Sequence, residues 1–501
     1  MDAYYFSEDH QLFRQTLRQF LDREVMPFID DWEKAGRIPK ELWRKFGDMG
    51  YLGLNYPEAY GGQGLDFFYS VVFLEEIARC FSGGFSITPT VQQYMASPYL
   101  FHAGSEFLKQ KYLTKAISGE WICSIAITEP GAGSDVANIQ TKALRKGDYY
   151  EVNGSKTFIT NGVFGDFLIT VVKTDPSAGV GGFSLLVIDR NAPGVSATQL
   201  NKLGWHASDT AELAFDNVQV PVENLIGEEG KGFYYLMGGL QLERLSGAIA
   251  AASASAHALE YSLAYMSQRQ AFGRPISKFQ VLRHRVADMS AEIESVKYFI
   301  YHLCRVHNDG GYAVKECSMA KLLATELSDK VMYQCLQFFG GYGYIEEYKI
   351  ARMFRDSRIG TIGGGSSEIM REIIAKMVID DKKYARAFEG QDEAEEMPEE
   401  VNELEVLTAR VGRMAAKAKR IGAAIAFDLG GGVIRLDGSQ EENRVNNDVT
   451  PADCTVSINM GDFRDLMDGK LNPMSAMMSG KLSVSGDMAL AMKLGQLFGG
   501  K

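Results

Sequence analysis

The chain has 501 residues, 46% hydrophobic and 23% charged, with a formal net charge of −12. That length suits about three or four domains around a large core, and the acidic balance argues against non-specific nucleic-acid or anionic-membrane binding. Residues 1–20 lack a basic n-region and an apolar h-region, no apolar run is long enough to span a bilayer, and the final Phe-Gly-Gly-Lys is not a peroxisomal address, so a bacterial-type cytoplasmic location is expected. Six scattered cysteines without a C-x-x-C suit a reducing compartment and give no disulfide framework or metal site.

From Ser7 to about Ala116 the pattern is helical. Ser7 is a natural cap for a helix with Glu8 and Asp9 in its first turn and Leu12, Phe13, Leu17, Phe20 and Leu21 at helical spacing, stopped by Pro27. Pro39 fits the first turn of a second helix with Leu42, Phe46 and Met49 on one face and Gly50 as its stop. Val71–Arg79 and Phe107–Ile117 read as further helices, and Tyr60–Gly64 as a loop. At Trp121 short β-rich runs begin, separated by Gly, Asn, Asp and Pro, and predict an antiparallel sheet domain. Helical periodicity returns near Gly232. Phe233–Gln268, Lys278–Asn308, Tyr312–Phe339 and Ser367–Phe388 are long enough to form a four-helix bundle.

An acidic stretch almost free of large apolar residues comes next and marks a linker. Beyond it, strands at Ala424–Leu429, Val433–Leu436 and Cys454–Asn459 and helices at Phe463–Gly469 and Met488–Phe498 predict a small α+β module rich in methionine. Such methionines suit either a soft core or a surface adapting to variable apolar ligands. The expected layout is therefore multidomain α+β, with an all-α domain at 1–120, a middle antiparallel β-domain at 121–228, a helical bundle at 229–388, an acidic linker at 389–400 and the α+β module at 401–501.

Three stretches carry chemistry. In the helix LQLERLSGAIAAASASAHAL, Leu240–Leu259, Glu243 shares a face with the small residues Ser246, Gly247 and Ala250. A carboxylate buried there would be raised in pKa, as a proton-abstracting base requires; the plainer reading is a first-turn Glu with Arg244 as its surface partner. The loop AITEPGAGSD, Ala126–Asp135, offers Thr128, Ser134, Gly131 and Gly133 as an anion-binding nest, or is a tight turn stabilised by Glu129 and Asp135. Gly340, Gly341 and Gly343 interrupt a helical pattern between aromatics, and GTIGGGSSE, Gly360–Glu368, opens a helix at which Ser366 or Ser367 is a natural cap and free amides can hold phosphate.

On these motifs residues 1 to about 388 resemble the acyl-CoA dehydrogenase family. AITEPGAGSD and Gln337–Asp356 match its two signature patterns, and SKTFITNG (Ser155–Gly162), LGWHASDTAEL (Leu203–Leu213), GEEGKGF (Gly227–Phe233) and RQAFGRPISKFQ (Arg269–Gln280) stand in family order. The resemblance implies the family's three-domain fold and FAD as cofactor. It implies that Ile127, Thr128, Gly133, Ser134, Phe158, Ile159 and Thr160 cradle the isoalloxazine ring, with Phe158 standing where several relatives carry Trp. It further implies that Arg269, Gln280, Gln337, Gly340 and Gly341 hold the rest of FAD, partly across a subunit interface, and that Ser366, Ser367 and Glu368 make the last contacts.

Many members carry the catalytic Glu in the loop before the last helix, and here that slot is Gly364. Long-chain and isovaleryl-type members carry it on the bundle helix before an Arg, which Glu243 and Arg244 match. FYYLMGGLQLERL (Phe233–Leu245) and GGGSSEIM (Gly363–Met370) look most like the long-chain subgroup. The resemblance thus implies FAD-dependent α,β-dehydrogenation of a fatty acyl-CoA, in fatty acid β-oxidation or related lipid catabolism. Glu243 would take the α-proton and the β-hydrogen would leave as hydride to flavin N5. Ser134, Tyr234, Gln241, Leu242, Arg244, Gly364 and Gly365 would contact substrate, no metal would take part, and an electron-transfer flavoprotein would accept the electrons from a homotetramer or homodimer. An oxygen-using acyl-CoA oxidase and a non-catalytic lipid or acyl-CoA binder are the alternatives.

Residues 401–501 resemble the sterol-carrier-protein-2 (SCP2) family through Thr450–Leu494. That resemblance implies a lipid or acyl-CoA ligand and an apolar tunnel among Phe463, Leu466, Met467, Leu471, Met477, Met478, Leu490 and Met492.

Overall fold

The computed structural model describes residues 4–380, 403–416, 420–439, 442–468, 470–471, 473–487 and 490. The chain divides into two compact units, one reaching Tyr384 and one beginning at Ala385. Among the described residues no helix is long and apolar enough to cross a membrane.

The first unit opens on the helix Glu8–Glu24. Ser7 caps it, accepting from the His10 amide at 3.3 Å while the His10 ring receives the Ser7 amide, so histidine closes a capping box usually closed by Glu or Gln. The helix Lys40–Asp48 starts one residue later than its sequence predicts, with Pro39 as cap rather than in the first turn. It buries Leu42, Trp43 and Phe46, but it ends at Asp48, so Met49 falls beyond the buried face and is exposed. The apolar helix Phe67–Ala78 runs through the centre of this domain with nearly every residue buried.

Between Gly83 and Ile117 the helical path is interrupted twice by π turns, Val91–Ala96 and Lys109–Leu113. Each inserted residue rotates the succeeding turns about the helix axis. The first sets the facing of the helix Ser97–Ala103 and its Tyr99.

The middle domain is a sheet of β1 Cys123–Ala126, β2 Lys142–Lys146, β3 Tyr149–Thr160, β4 Phe167–Lys173, β5 Phe183–Asp189, β6 Val195–Gln199, β7 Thr210–Pro221 and β8 Leu225–Ile226. Its order is β6-β7-β3-β2-β4-β5-β8, with β1 beside β4. The pairing is antiparallel except that β1 and the first residue of β2 run parallel to β4. The sheet is therefore mixed where β1 lies beside β4, because β2 and β3 intervene in the chain and no hairpin joins the two strands. β4 and β5 are apolar on both faces and buried; β7 alternates, with one face packed.

The bundle is built from the long helices Gly232–Gln268, Gln280–Asn308 and Val314–Phe339, with the shorter Lys349–Ser357 and Ser367–Ala375. The last continues as a π turn to Asp380, and the remainder of the predicted fourth helix lies outside the described residues.

In the second unit the helix Glu403–Ala415 accompanies a five-stranded sheet in the order Arg444–Asn446, Val433–Asp437, Ala424–Asp428, Cys454–Ile458, Leu482–Gly486. Ala424–Asp428 and Cys454–Ile458 are parallel and the other pairs antiparallel. Phe463, Leu466, Met467 and Leu490 are buried in its core and Leu471 packs against it. Met477 is exposed, unlike a tunnel residue, because it comes after Ala476, which takes the buried face of the short helix Pro473–Met478. The predicted helix Met488–Phe498, with Met492, and the Met478 side chain lie outside the described residues. All six cysteines are buried.

Candidate active site

Glu243 lies about three turns into the helix Gly232–Gln268, well past its first turn. Its side chain is buried, as are its neighbours Gln241 and Arg244. Burial pushes the carboxyl up to about 7, against the opposing pull of the Tyr99 hydroxyl and the Arg244 guanidinium. Tyr99 donates to Glu243 Oε1 at 3.1 Å and also stands 3.3 Å from the Leu236 carbonyl. Its hydroxyl can approach the helix because residue 239 is glycine, where a Cβ would come within 2.2 Å of it. Ser246 is satisfied by the Glu243 carbonyl at 2.9 Å, while Gly247, the next residue, would point a Cβ into space clear of described atoms for 4 Å.

Arg244 is no surface partner. Nη1 donates to Ser318 Oγ at 3.2 Å, and Nε is buried with no partner among the described residues. Ser318 belongs to the helix Val314–Phe339, and one turn along it Lys321, also buried, donates to the carbonyl of Gly365. Burial, helped by Arg244, lowers the Lys321 ammonium to about 8. A single helix face thus ties the segment bearing Glu243 to the glycine loop. In that loop Gly364 has φ +63° and Gly365 φ +89°, the left-handed region that glycine enters without penalty, and a Cβ on Gly364 would meet no described atom within 4 Å. Gln241 accepts from the Ala313 amide, Leu242 packs against the helical-domain core, and Tyr234 and Ser134 are exposed.

The loop Ala126–Asp135 contains the tight turn that its sequence allows. Glu129 and Ala132 exchange backbone hydrogen bonds in a tight turn, while Gly131 and Gly133 face open space. Beneath it Lys156 reaches Glu129 Oε1 and the Ile127 carbonyl, each at 2.9 Å, and Glu129 takes the amides of Gln140 and Thr141. Burial lowers Lys156 to about 8; against its own burial, Lys156 and those two amide donors hold Glu129 below the ordinary carboxylate range. The Thr157 amide donates to the Thr128 carbonyl at 2.9 Å, bringing Ile127 and Thr128 beside Phe158, Ile159 and Thr160. At that point the β3–β7 register breaks and Phe158 adopts φ +62° with the residue 69% exposed. A phenylalanine held in this conformation with a bare ring signals a site, since neither feature helps the fold.

Arg269 precedes the hairpin Gln270–Pro275 and its guanidinium lies 5.7 Å from the ring centre of Tyr342, in the segment of Gly340 and Gly341. Both glycines are open to approach, and Gln280 and Gln337 are exposed at the ends of their helices. Ser366 caps the helix Ser367–Ala375, accepting from the Ile369 amide at 3.4 Å; Glu368 is held below its ordinary range by backbone donors in that first turn. Ser367 Oγ is buried without a partner among the described residues. An orphaned hydroxyl at a helix N-terminus, open glycines and a bare strained aromatic fit a cofactor with a flat ring and phosphates. Tyr99, Ser318, Lys321 and Lys156 escaped the sequence reading; a buried Lys within ITEP…SKTF was the one available signal.

Family models match the chain domain by domain. Residues 7–120, 124–218 and 230–379 match the N-terminal, middle and C-terminal domains of acyl-CoA dehydrogenase, and residues 402–499 match the SCP-2 sterol transfer family. The long-chain specific acyl-CoA dehydrogenase of Sus scrofa mitochondria is 40% identical over 75% of this chain and 88% of its own length. The crystal structure of acyl-CoA dehydrogenase from Geobacillus kaustophilus superposes with a TM-score of 0.73 at 46% identity, covering 75% of this chain and 99% of that one. A glutaryl-CoA dehydrogenase from Mycobacterium smegmatis in complex with FADH2 matches at TM-score 0.71 and 27% identity over 75% and 96% of the two chains.

Proposed function

The chain belongs to the FAD-dependent acyl-CoA dehydrogenase family and ends in an SCP2 domain, and from that premise we propose that it dehydrogenates a long-chain fatty acyl-CoA to the trans-2-enoyl-CoA with Glu243 as the base. The observation that carries this reading is a buried carboxyl raised to about 7 on the bundle helix, together with glycine at position 364. A base working near neutral pH needs a pKa close to that value.

Ile127, Thr128, Gly133, Ser134, Phe158, Ile159 and Thr160 would hold the ring of FAD, Arg269, Gln280, Gln337, Gly340 and Gly341 its extended part, and Ser366, Ser367 and Glu368 its far end. FAD, when bound, supplies the acceptor for the β-hydrogen. Glu243 removes the α-proton in a pocket from which burial excludes water. The Gly364 amide donates to the thioester oxygen and stabilises the enolate as charge develops there. Arg244, Gln241, Leu242, Tyr234, Ser134 and Gly365 position the acyl-CoA. An electron-transfer flavoprotein serves as acceptor, the working form is a homo-oligomer, and the SCP2 domain holds acyl-CoA or lipid, raising its effective concentration through the linker.

Glu243→Gln is the direct test. Anaerobic flavin bleaching by a saturated long-chain acyl-CoA should fall by orders of magnitude; full bleaching in the variant sinks Glu243 as base. Peroxide formation at the rate of turnover, with no acceptor added, would make the protein an oxidase instead. A protein that binds acyl-CoA but never bleaches would be a carrier only.

A further inference from the structure

Resting on the proposal that Glu243 is the base, we propose that Tyr99 is its positioning residue, with one phenolic hydrogen that alternates between Glu243 Oε1 and the Leu236 carbonyl as the carboxyl loses and gains its proton. Leu236, Gly239 and Glu243 lie on one face of the helix, and the Tyr99 hydroxyl is set against that face over Gly239. Two acceptors stand within reach, at 3.1 and 3.3 Å, and a phenol has one hydrogen to give.

When Glu243 is ionised the hydrogen serves the carboxylate. When Glu243 has taken a proton, its O–H donates to the Tyr99 oxygen and the phenolic hydrogen turns to Leu236. Both states are then fully hydrogen-bonded without the carboxyl moving. Tyr99 does not ionise in this cycle, since burial and the neighbouring carboxylate push it well above its ordinary value. The other groups around Glu243 do not provide this. Arg244 faces it along its own helix and is charged in both states, while Cys317, Lys321 and Tyr312 act on Arg244. Glu75 and Glu76 on the adjoining helix Phe67–Ala78 are bound by Arg14, Arg18 and Tyr301.

A device of this kind favours the ionised base, so its removal should raise the pH at which Glu243 ionises. The test is Tyr99→Phe in the holoenzyme, read in two ways. The first is the pH profile of anaerobic flavin bleaching by acyl-CoA. Its acid limb should move up by about one pH unit while the rate on the alkaline plateau is kept. The second is infrared titration without substrate, using the carboxyl band missing from Glu243→Gln, which should move by the same amount. Gly239→Ala displaces the hydroxyl and retains the ring, and should move the band in the same direction even if Tyr99→Phe folds poorly. An unmoved limb and band in the variants overturn the inference, as does a lowered plateau with no shift, which would mark plain structural damage. Should Glu243→Gln itself bleach normally, the base assignment fails, and the band still reports separately on the Tyr99 contact.

Discussion

Lys156 Nζ lies 2.9 Å from Glu129 Oε1, the lysine side chain wholly and the glutamate side chain almost wholly out of solvent. Two charges removed from water in this way cost free energy that their attraction and the surrounding donors must offset, so losing one partner is far worse than never having the pair. Lys156→Met should lower the stability of the first unit by about 3–5 kcal/mol. Because Glu129 anchors the loop Ala126–Asp135, the purified variant should also carry less flavin per chain. Denaturant unfolding and the ratio of flavin to protein absorbance check the two halves; normal flavin content in a destabilised protein would separate the pair from the loop.

The raised carboxyl of Glu243 carries a pH signature in stability as well as in rate. Folding favours its protonated form, so the folded chain retains a proton that the unfolded chain loses between about 4.5 and about 7. The contribution is present below about 4.5 and gone above about 7, and the shift corresponds to about 3 kcal/mol. Glu243→Gln should flatten the stability profile across this window and be relatively more stable than the parent at pH 8. Denaturant titrations of both proteins at pH 5 and pH 8 measure it. Parallel profiles would mean that the carboxyl ionises normally.

Gly364 offers a test of location. A Cβ there meets no described atom within 4 Å, but the φ of +63° costs an L-residue about 1 kcal/mol. Glu243→Gln combined with Gly364→Glu should recover part of the bleaching rate lost in the single variant, with altered preference among acyl chain lengths. No recovery, in a protein that retains flavin, would show that the second position cannot reach the reacting carbon in this chain.

Phe158 separates fold from site. Glycine at this position removes the left-handed penalty, so Phe158→Gly should leave the melting temperature unchanged or slightly raised. If the exposed ring serves the flavin, dissociation of FAD should become at least several-fold faster. A variant both less stable and unchanged in flavin affinity would return Phe158 to the fold.

The domain pattern was legible because it rests on periodicity, which survives in a single sequence. The helix around Glu243, the β-rich middle and the cap at Ser7 all come from spacing and local chemistry. Pro39, Met49 and the mixed pairing at β1 depart from it because a helix end and a strand's direction are decided by what the chain meets next. The site was legible only where it is local. Glu243 and Arg244 stand together in the sequence, as do Gly363, Gly364 and Gly365. Tyr99, Ser318 and Lys321 reach them from other helices. No spacing within those helices records that, and a π turn not visible in the residue pattern sets the orientation of Tyr99. Lys156 reads as an ordinary strand lysine until β3 is seen beneath the loop.

The buried thiols divide unequally between the two units: Cys80, Cys123, Cys304, Cys317 and Cys335 in the first and Cys454 alone in the second. In the native protein each is shielded from alkylating reagents, and burial keeps Cys80, Cys123, Cys304, Cys317 and Cys335 above the ordinary thiol range. Adducts therefore form only on the unit that opens. Peptide mapping of a slow alkylation time course would read the opening of the dehydrogenase and SCP2 units separately in the intact chain.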